Sequence, residues 1–247
     1  MLRKEEILER TSNGLAEYAE GISGGADLTY LLQNPEFTTD GSGWTGTSFT
    51  AASSGVAEFY DKTFDTYQVL KNMPAGTYRF QCQGFYRDGD YAVAYPAHND
   101  GSEQLRAVLY VNDRSCPFMS LFDDSAPYTY TPYTYPDNVW TANSAFNTDG
   151  EYTDNFVEYT LDEAGDLQVG MRKDTYKTHD WTCFDNFRLY YYGKGDGIRE
   201  ATGDNNAPVD VYTVSGVKLR ENAAPAQATK GLPRGLYIVG KKKMLVK

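Results

Sequence analysis

The sequence predicts an all-β protein, a sandwich of two antiparallel sheets, and three observations carry that expectation. From residue 29 onward, short runs rich in Tyr, Phe, Val and Thr alternate with clusters of Gly, Asn, Asp and Pro, the punctuation of strands and turns. Within the runs, polarity repeats every two residues, as a strand with one buried face requires. The chain is also 15% aromatic, with 21 Tyr among its 247 residues. Tyr has a flat apolar face and a polar tip, so it suits half-buried strands and equally a sugar- or protein-binding surface.

Taken in order, residues 3–20 are the one helical stretch. Ile7, Leu8, Leu15 and Tyr18 form an apolar stripe that Asn13-Gly14 interrupts, so residues 1–28 read as a short or broken helical stub. Strands are expected at Thr29–Leu32, Val56–Tyr60, Thr66–Val69, Gly76–Tyr86, Leu105–Val111, Phe156–Leu161, Leu167–Met171 and Cys183–Tyr192. The clearest is Gly76–Tyr86, which follows the turn signal Pro74-Ala75-Gly76. There Tyr78, Phe80 and Cys82 share one face, and Arg79, Gln81 and Gln83 the other. Residues 87–104 and 112–153 contain few strand signals and read as long loops, which are uncommon in compact domains unless they carry function or are disordered. Residues 29–193 thus form the main domain and 194–208, rich in Gly, Asp and Asn, a linker. A small β-unit follows at 209–247, with a Ser215-Gly216 turn.

Net charge is −11, unevenly spread. Residues 196–247 hold nine Lys/Arg against five Asp/Glu, so the rest carries a balance of −15. An acidic body argues against a nucleic-acid partner, which needs clustered cations. It suits neutral ligands, cations or plain solubility. Cys82, Cys116 and Cys183 have neither CxxC spacing nor a nearby His ladder, which excludes thiolate-metal and redox motifs. No apolar run reaches the roughly 18 residues of a membrane span. The start, MLRKEEILER, has no apolar leader core. Either the protein is cytoplasmic, or Met1 stands where an upstream segment has been removed.

Several phrases are familiar as a set. "LLQNPEF" followed by "GW", then "LKNMPAGTYRFQCQGFYRDG", "LRAVLYVND", "YTDNFVEYTLDEAGDLQVGMRK" and "DWTCFDNFRLYYYG" resemble galactose-binding-like jelly rolls. Such domains occur in carbohydrate-binding modules and in surface proteins of glycan-scavenging Gram-negative bacteria. The match runs over about residues 29–193, in the family's order. It implies a jelly-roll topology, and is less informative about ligand because one fold hosts many functions. The segment "VDVYTVSGVKLRENAAPAQATKGLPRGLYIVGKKKMLVK" resembles C-terminal sorting or anchoring tails from the same kind of bacteria. That implies export to the cell surface, periplasm or medium, and favours a removed leader. The alternative is a small structural β-appendage.

The resemblance also implies a structural calcium ion, with Glu36 and Asp185 at the matching positions near the first strand and on the last. Calcium takes six to eight oxygens, some from backbone carbonyls. The alternative is that both carboxylates cap turns or pair with Arg188. A saccharide needs ring faces for its apolar side and amide, carboxylate or guanidinium groups for its hydroxyls. The two long loops supply both. Arg87, Asp88, Tyr91 and His98 come from the first; Tyr128, Tyr130, Tyr133 and Trp140 come from the second. Trp181, entering the last strand, is expected at the same rim. Against this, Tyr128–Tyr135 could pack as a loop core, with Trp44 and Trp181 buried. No nucleophile elbow, Walker loop, HExxH or dinucleotide fingerprint is present, so no catalytic residue is assigned. The expected function is non-catalytic carbohydrate binding. A structural or protein-docking module is the alternative, and a glycoside hydrolase the third reading.

Overall fold

A computed structural model describes residues 25–37, 40–51, 55–124, 135–194, 209–213, 218–223, 228–232, 235–239 and 242–246. The expected helical stub at 3–20, Tyr128, Tyr130, Tyr133, the 194–208 segment (beyond Lys194) and the Ser215-Gly216 turn lie outside those residues. Contacts within the chain group it into two compact units, Met1–Gly195 and Asp196–Lys247.

The first unit is the expected sandwich. One sheet runs β3 (Thr50–Ala51), β4 (Ala57–Tyr60), β11 (Trp181–Tyr191), β6 (Gly76–Arg87), β9 (Asn155–Leu161), with β1 (Ala26–Asp27) also on β11. The other runs β2 (Thr45–Gly46), β5 (Phe64–Met73), β10 (Gly165–Lys173), β7 (Val108–Val111), β8 (Arg114–Pro117). Every strand pair in both sheets is antiparallel. The inner faces meet in one apolar core. Tyr78, Phe80, Phe184, Phe187 and Leu189 come from the first sheet, and Phe64, Leu109, Val111, Leu167, Val169 and Met171 from the second. Phe37, from the loop after the first strand, sits fully buried against Phe184 and Phe187 at 5.6 and 5.5 Å between ring centres. Each such ring removed from water is worth roughly 1.5–3 kcal/mol.

Three expectations need correction, the first being that residues 112–153 are not one long loop, since β8 and a helix at Val139–Ser144 lie within them. Thr29–Leu32 is not a strand: Thr29–Leu31 form a 3-10 turn. The Asp27 carboxylate accepts the Thr29 N–H, closing a local turn in place of a ladder. The 87–104 stretch is not a plain loop either, because Tyr91–Asp100 form a helix, α1. Asp90 caps its start by accepting the Ala92 N–H, and Gly101, at φ 77°, ends it. Pro96 inside the helix removes one backbone donor, which is why the sequence disguises it. A second helix, α2 (Val139–Ser144), starts on a capping box between Asn138 and Thr141. It runs into one turn of π-helix at Ala145–Asp149.

The second unit is a four-stranded antiparallel sheet, β13 (Lys218–Ala223), β12 (Val209–Thr213), β14 (Gly235–Val239), β15 (Lys242–Val246). Val211, Ala228, Tyr237 and Val239 form its own small core.

Candidate functional site: a recess on the outer sheet face

The alternation that buries Tyr78, Phe80 and Cys82 turns Arg79, Gln81 and Gln83 of β6 to the opposite face of the six-stranded sheet. On the neighbouring β11, the register slips by one residue: Asp185 pairs with Gln83, but Arg188 pairs with Gln81. The extra residue is a bulge, with Asn186 at φ 54°. It puts Asp185, Asn186, Arg188 and Tyr190 on the outer face while Phe184, Phe187 and Leu189 stay in the core. Gln81, Gln83, Asn186, Arg188 and Tyr190 floor a recess of about 470 Å³. That falls within the roughly 300–1,000 Å³ range of small-molecule sites. Its wall is Phe146 and Asn147 of the π-turn, with Gly150 and Thr153.

A hydrogen-bond relay fixes the amides. Gln83 Nε2 donates to the carbonyls of Phe146 and Glu151 at 2.9 and 2.8 Å. Its Oε1 accepts from Asn186 Nδ2 at 2.6 Å, and the same nitrogen donates to Asn147 Oδ1 at 2.8 Å. Asn147 Nδ2 in turn donates to Asp185 Oδ2 at 3.1 Å, while Asp185 Oδ1 accepts the Asn186 backbone N–H at 2.7 Å. With both N–H groups of Gln83 and of Asn186 committed, the orientation of each amide is determined. Asp185 is nearly inaccessible, and burial pushes its carboxyl up to about 6 against the pull of the Asn147 and Asn186 N–H groups. Gln81 has no side-chain hydrogen bond among the described residues, so both ends of its amide are available to a guest.

The sequence-predicted residues distribute differently. Asp88 is a correction: it is 2% exposed and spent inside a charge knot. Arg106 and Lys177 pair with it, and Gln104 donates its backbone N–H to it. The Tyr86 hydroxyl lies within reach of both Asp88, at 3.2 Å, and Asp180, at 3.0 Å. Asp180 itself holds Lys173 at 2.6 Å, both side chains fully buried. Trp181 is the second correction. It is 3% exposed, packs edge-on against Phe85 and gives its indole N–H to Glu58 at 2.6 Å, so no ring face remains for a sugar. Arg87 covers that indole, 5.4 Å from its centre, and donates to the Gly89 and His179 carbonyls.

Tyr91 and His98 stand together on α1, away from the recess lining. Tyr91 stacks on Tyr95 at 5.6 Å, and the His98 ring meets Glu103 at 2.9 Å and Phe122 at 5.3 Å. Trp140 is 63% exposed on α2. The Glu36 charge adds a little to the upward push on Asp185, but Arg188 donates to Glu36 at 2.8 Å and supplies the local positive charge. Among the described residues, no three His, Cys, Asp or Glu side chains gather as a metal site. Asn147, Asn186 and Tyr190 escaped sequence reasoning. The one available signal was Asp185-Asn186, a pair strongly depleted in strands, in the middle of a strand.

No protein-family model matches the chain, and no curated protein matches it. Among solved structures, the carbohydrate-binding module TmCBM61 in complex with beta-1,4-galactotriose aligns over 65% of this chain and 97% of that one, with 19% identity and a TM-score of 0.37. No helix among the described residues is long and apolar enough to cross a membrane.

Proposed function

We propose that the protein binds carbohydrate without transforming it, in the recess on the outer face of the six-stranded sheet. One observation carries this reading. In an acidic domain, a recess of ligand size is floored by fixed amides, one guanidinium, the Tyr190 ring and the unpartnered Gln81 amide. Sugar hydroxyls are donors and acceptors at once, and amides answer both roles without bringing in charge that must be desolvated. Amides and guanidinium exchange no protons near neutrality, which favours binding over acid–base chemistry. The test is a glycan array followed by calorimetry on the Gln81→Ala variant. The wild type is expected to bind at least one glycan class, and the variant to bind it about tenfold more weakly, near 1.4 kcal/mol. An array with no binder sinks the reading.

Calcium at Glu36 and Asp185 belongs to the same reading. It is supported by the repulsion that Glu36 exerts on the Asp185 carboxyl, and it requires Arg188 to release Glu36. Calcium should then raise the melting temperature of chelator-treated protein; an unmoved transition removes it. Export to the cell surface is supported by the tail-like residues 209–247, and fractionation of the native host checks it. Protein docking is a second reading, supported by Tyr95, exposed on α1 beside Phe122 and Tyr135.

A further inference from the structure

We propose that the recess receives the end of a glycan chain, not its interior. This rests on the saccharide-binding reading above and narrows it. The carrying feature is the course of residues 139–152 over the outer face. Asn143 Nδ2 lies 3.1 Å from where a Cβ on Gly55 would be, just before β4. Asn147 reaches β11 at Asp185 and Asn186. Phe146 and Glu151 take the two N–H groups of Gln83 on β6, and the Tyr152 carbonyl accepts the Gly84 N–H. One segment therefore crosses β4, β11 and β6 in turn, a bar laid across the strands.

The bar is not a bridge over a channel. Beneath it Phe85, Cys183 and Trp181 are buried against Ala142, Ala145 and Phe146, so nothing can thread under it. On the β1 side of β11, the Glu36–Arg188 pair closes a second side. A saccharide in the corner can continue only back along Tyr190 or out over β9.

The chemistry of the corner agrees. After the relay is satisfied, Asn186 Oδ1 has no partner among the described residues and can only accept, while Asn147 keeps one N–H to donate. A free hydroxyl answers both. A glycosidic oxygen has no proton and leaves the Asn186 oxygen unanswered, which is costly in a partly closed site. The corner thus prefers a sugar whose hydroxyl there is not used in a linkage.

The experiment is calorimetry on the whole chain with galacto-, gluco-, manno- and xylo-oligosaccharides, each from monosaccharide to hexasaccharide. Each series is repeated with the non-reducing end methyl-capped, and again with the reducing end reduced. For the series that binds, affinity is expected to change by less than about threefold beyond the disaccharide. Capping one particular end should weaken it at least about tenfold. Affinity that climbs with length and ignores both caps overturns terminal recognition while leaving saccharide binding intact. If neither these series nor any glycan on the array binds, both fall together.

Discussion

The middle of β6 and its C-terminal end show opposite uses of polar side chains. At the Tyr86–Asp88 end, charges are buried and spent on one another: Lys173 on Asp180, Arg106 and Lys177 on Asp88. At Gln81–Gln83, in mid-strand, neutral amides are fixed by their neighbours, with hydrogen-bonding capacity left over toward solvent. Taking an ion out of water costs several kcal/mol, so buried ions must consume their partners. Amides cost less to hold half-dry and can afford an unanswered valence until a guest arrives. Charge is therefore a poor guide to the site in this fold, and geometry a better one.

The largest expected effect probes the charged end. Lys173→Met removes the ammonium that offsets Asp180 inside the protein, leaving a carboxylate buried without its ion partner. Unfolding free energy should fall by about 3–5 kcal/mol, read by urea denaturation. A loss under about 1 kcal/mol would mean that the knot is wetter than its fully buried side chains indicate.

A middle-sized effect probes the border between the two regimes. Asp185 carries its proton up to about 6 in the folded protein, against 3.8 for the free side chain. The folded state thus binds more protons than the unfolded one between those values, and stability from this group declines as pH rises through that window. It is fully present below about pH 4 and lost above about pH 6, a change on the order of 2–3 kcal/mol. Asp185→Asn should remove that slope. The wild-type-minus-variant difference in unfolding free energy, followed from about pH 4 to 7, checks it; a flat difference contradicts the buried, high-pKa carboxyl. The smallest expected shift in stability belongs to Gln81→Ala, within about 0.5 kcal/mol of wild type, because that side chain has no hydrogen-bonded neighbour among the described residues to lose. Only its glycan affinity should move.

Much of the scaffold could be read from the chain, because period-two alternation is local information. Tyr78-Arg79-Phe80-Gln81-Cys82-Gln83 divides between core and outer face as the pattern dictates. The 3-10 turn at Thr29–Leu31 misled because its residues are apolar and β-prone, whereas a carboxylate two residues earlier set the backbone. The helix at Tyr91–Asp100 was hidden by Pro96 and by an apolar stripe too weak to see. The site was harder. Ring-rich loops drew attention, yet Trp181 is used to roof Phe85, and Asp88 neutralises two cations. What makes the recess is a one-residue slip in β11 and the 139–152 segment, α2 with its π-turn, that crosses three strands. Both are decided by distant partners, so neither leaves a periodic trace.

The slip at Asn186 has one more consequence. It sets the phase of the last strand: were the same residues paired without a bulge, Arg188 and Tyr190 would point toward the apolar interior and Phe187 and Leu189 toward solvent. Deleting Asn186 would leave Asp185 on Gln83 and Arg188 on Gln81 in regular pairing, so the core would keep its residues and the recess alone would lose an amide. Descendants of this chain can diversify the recess by exchanging side chains or by losing the bulge residue, whereas a one-residue change in the regular pairing beyond it would shift the recess-facing groups and the core packing together.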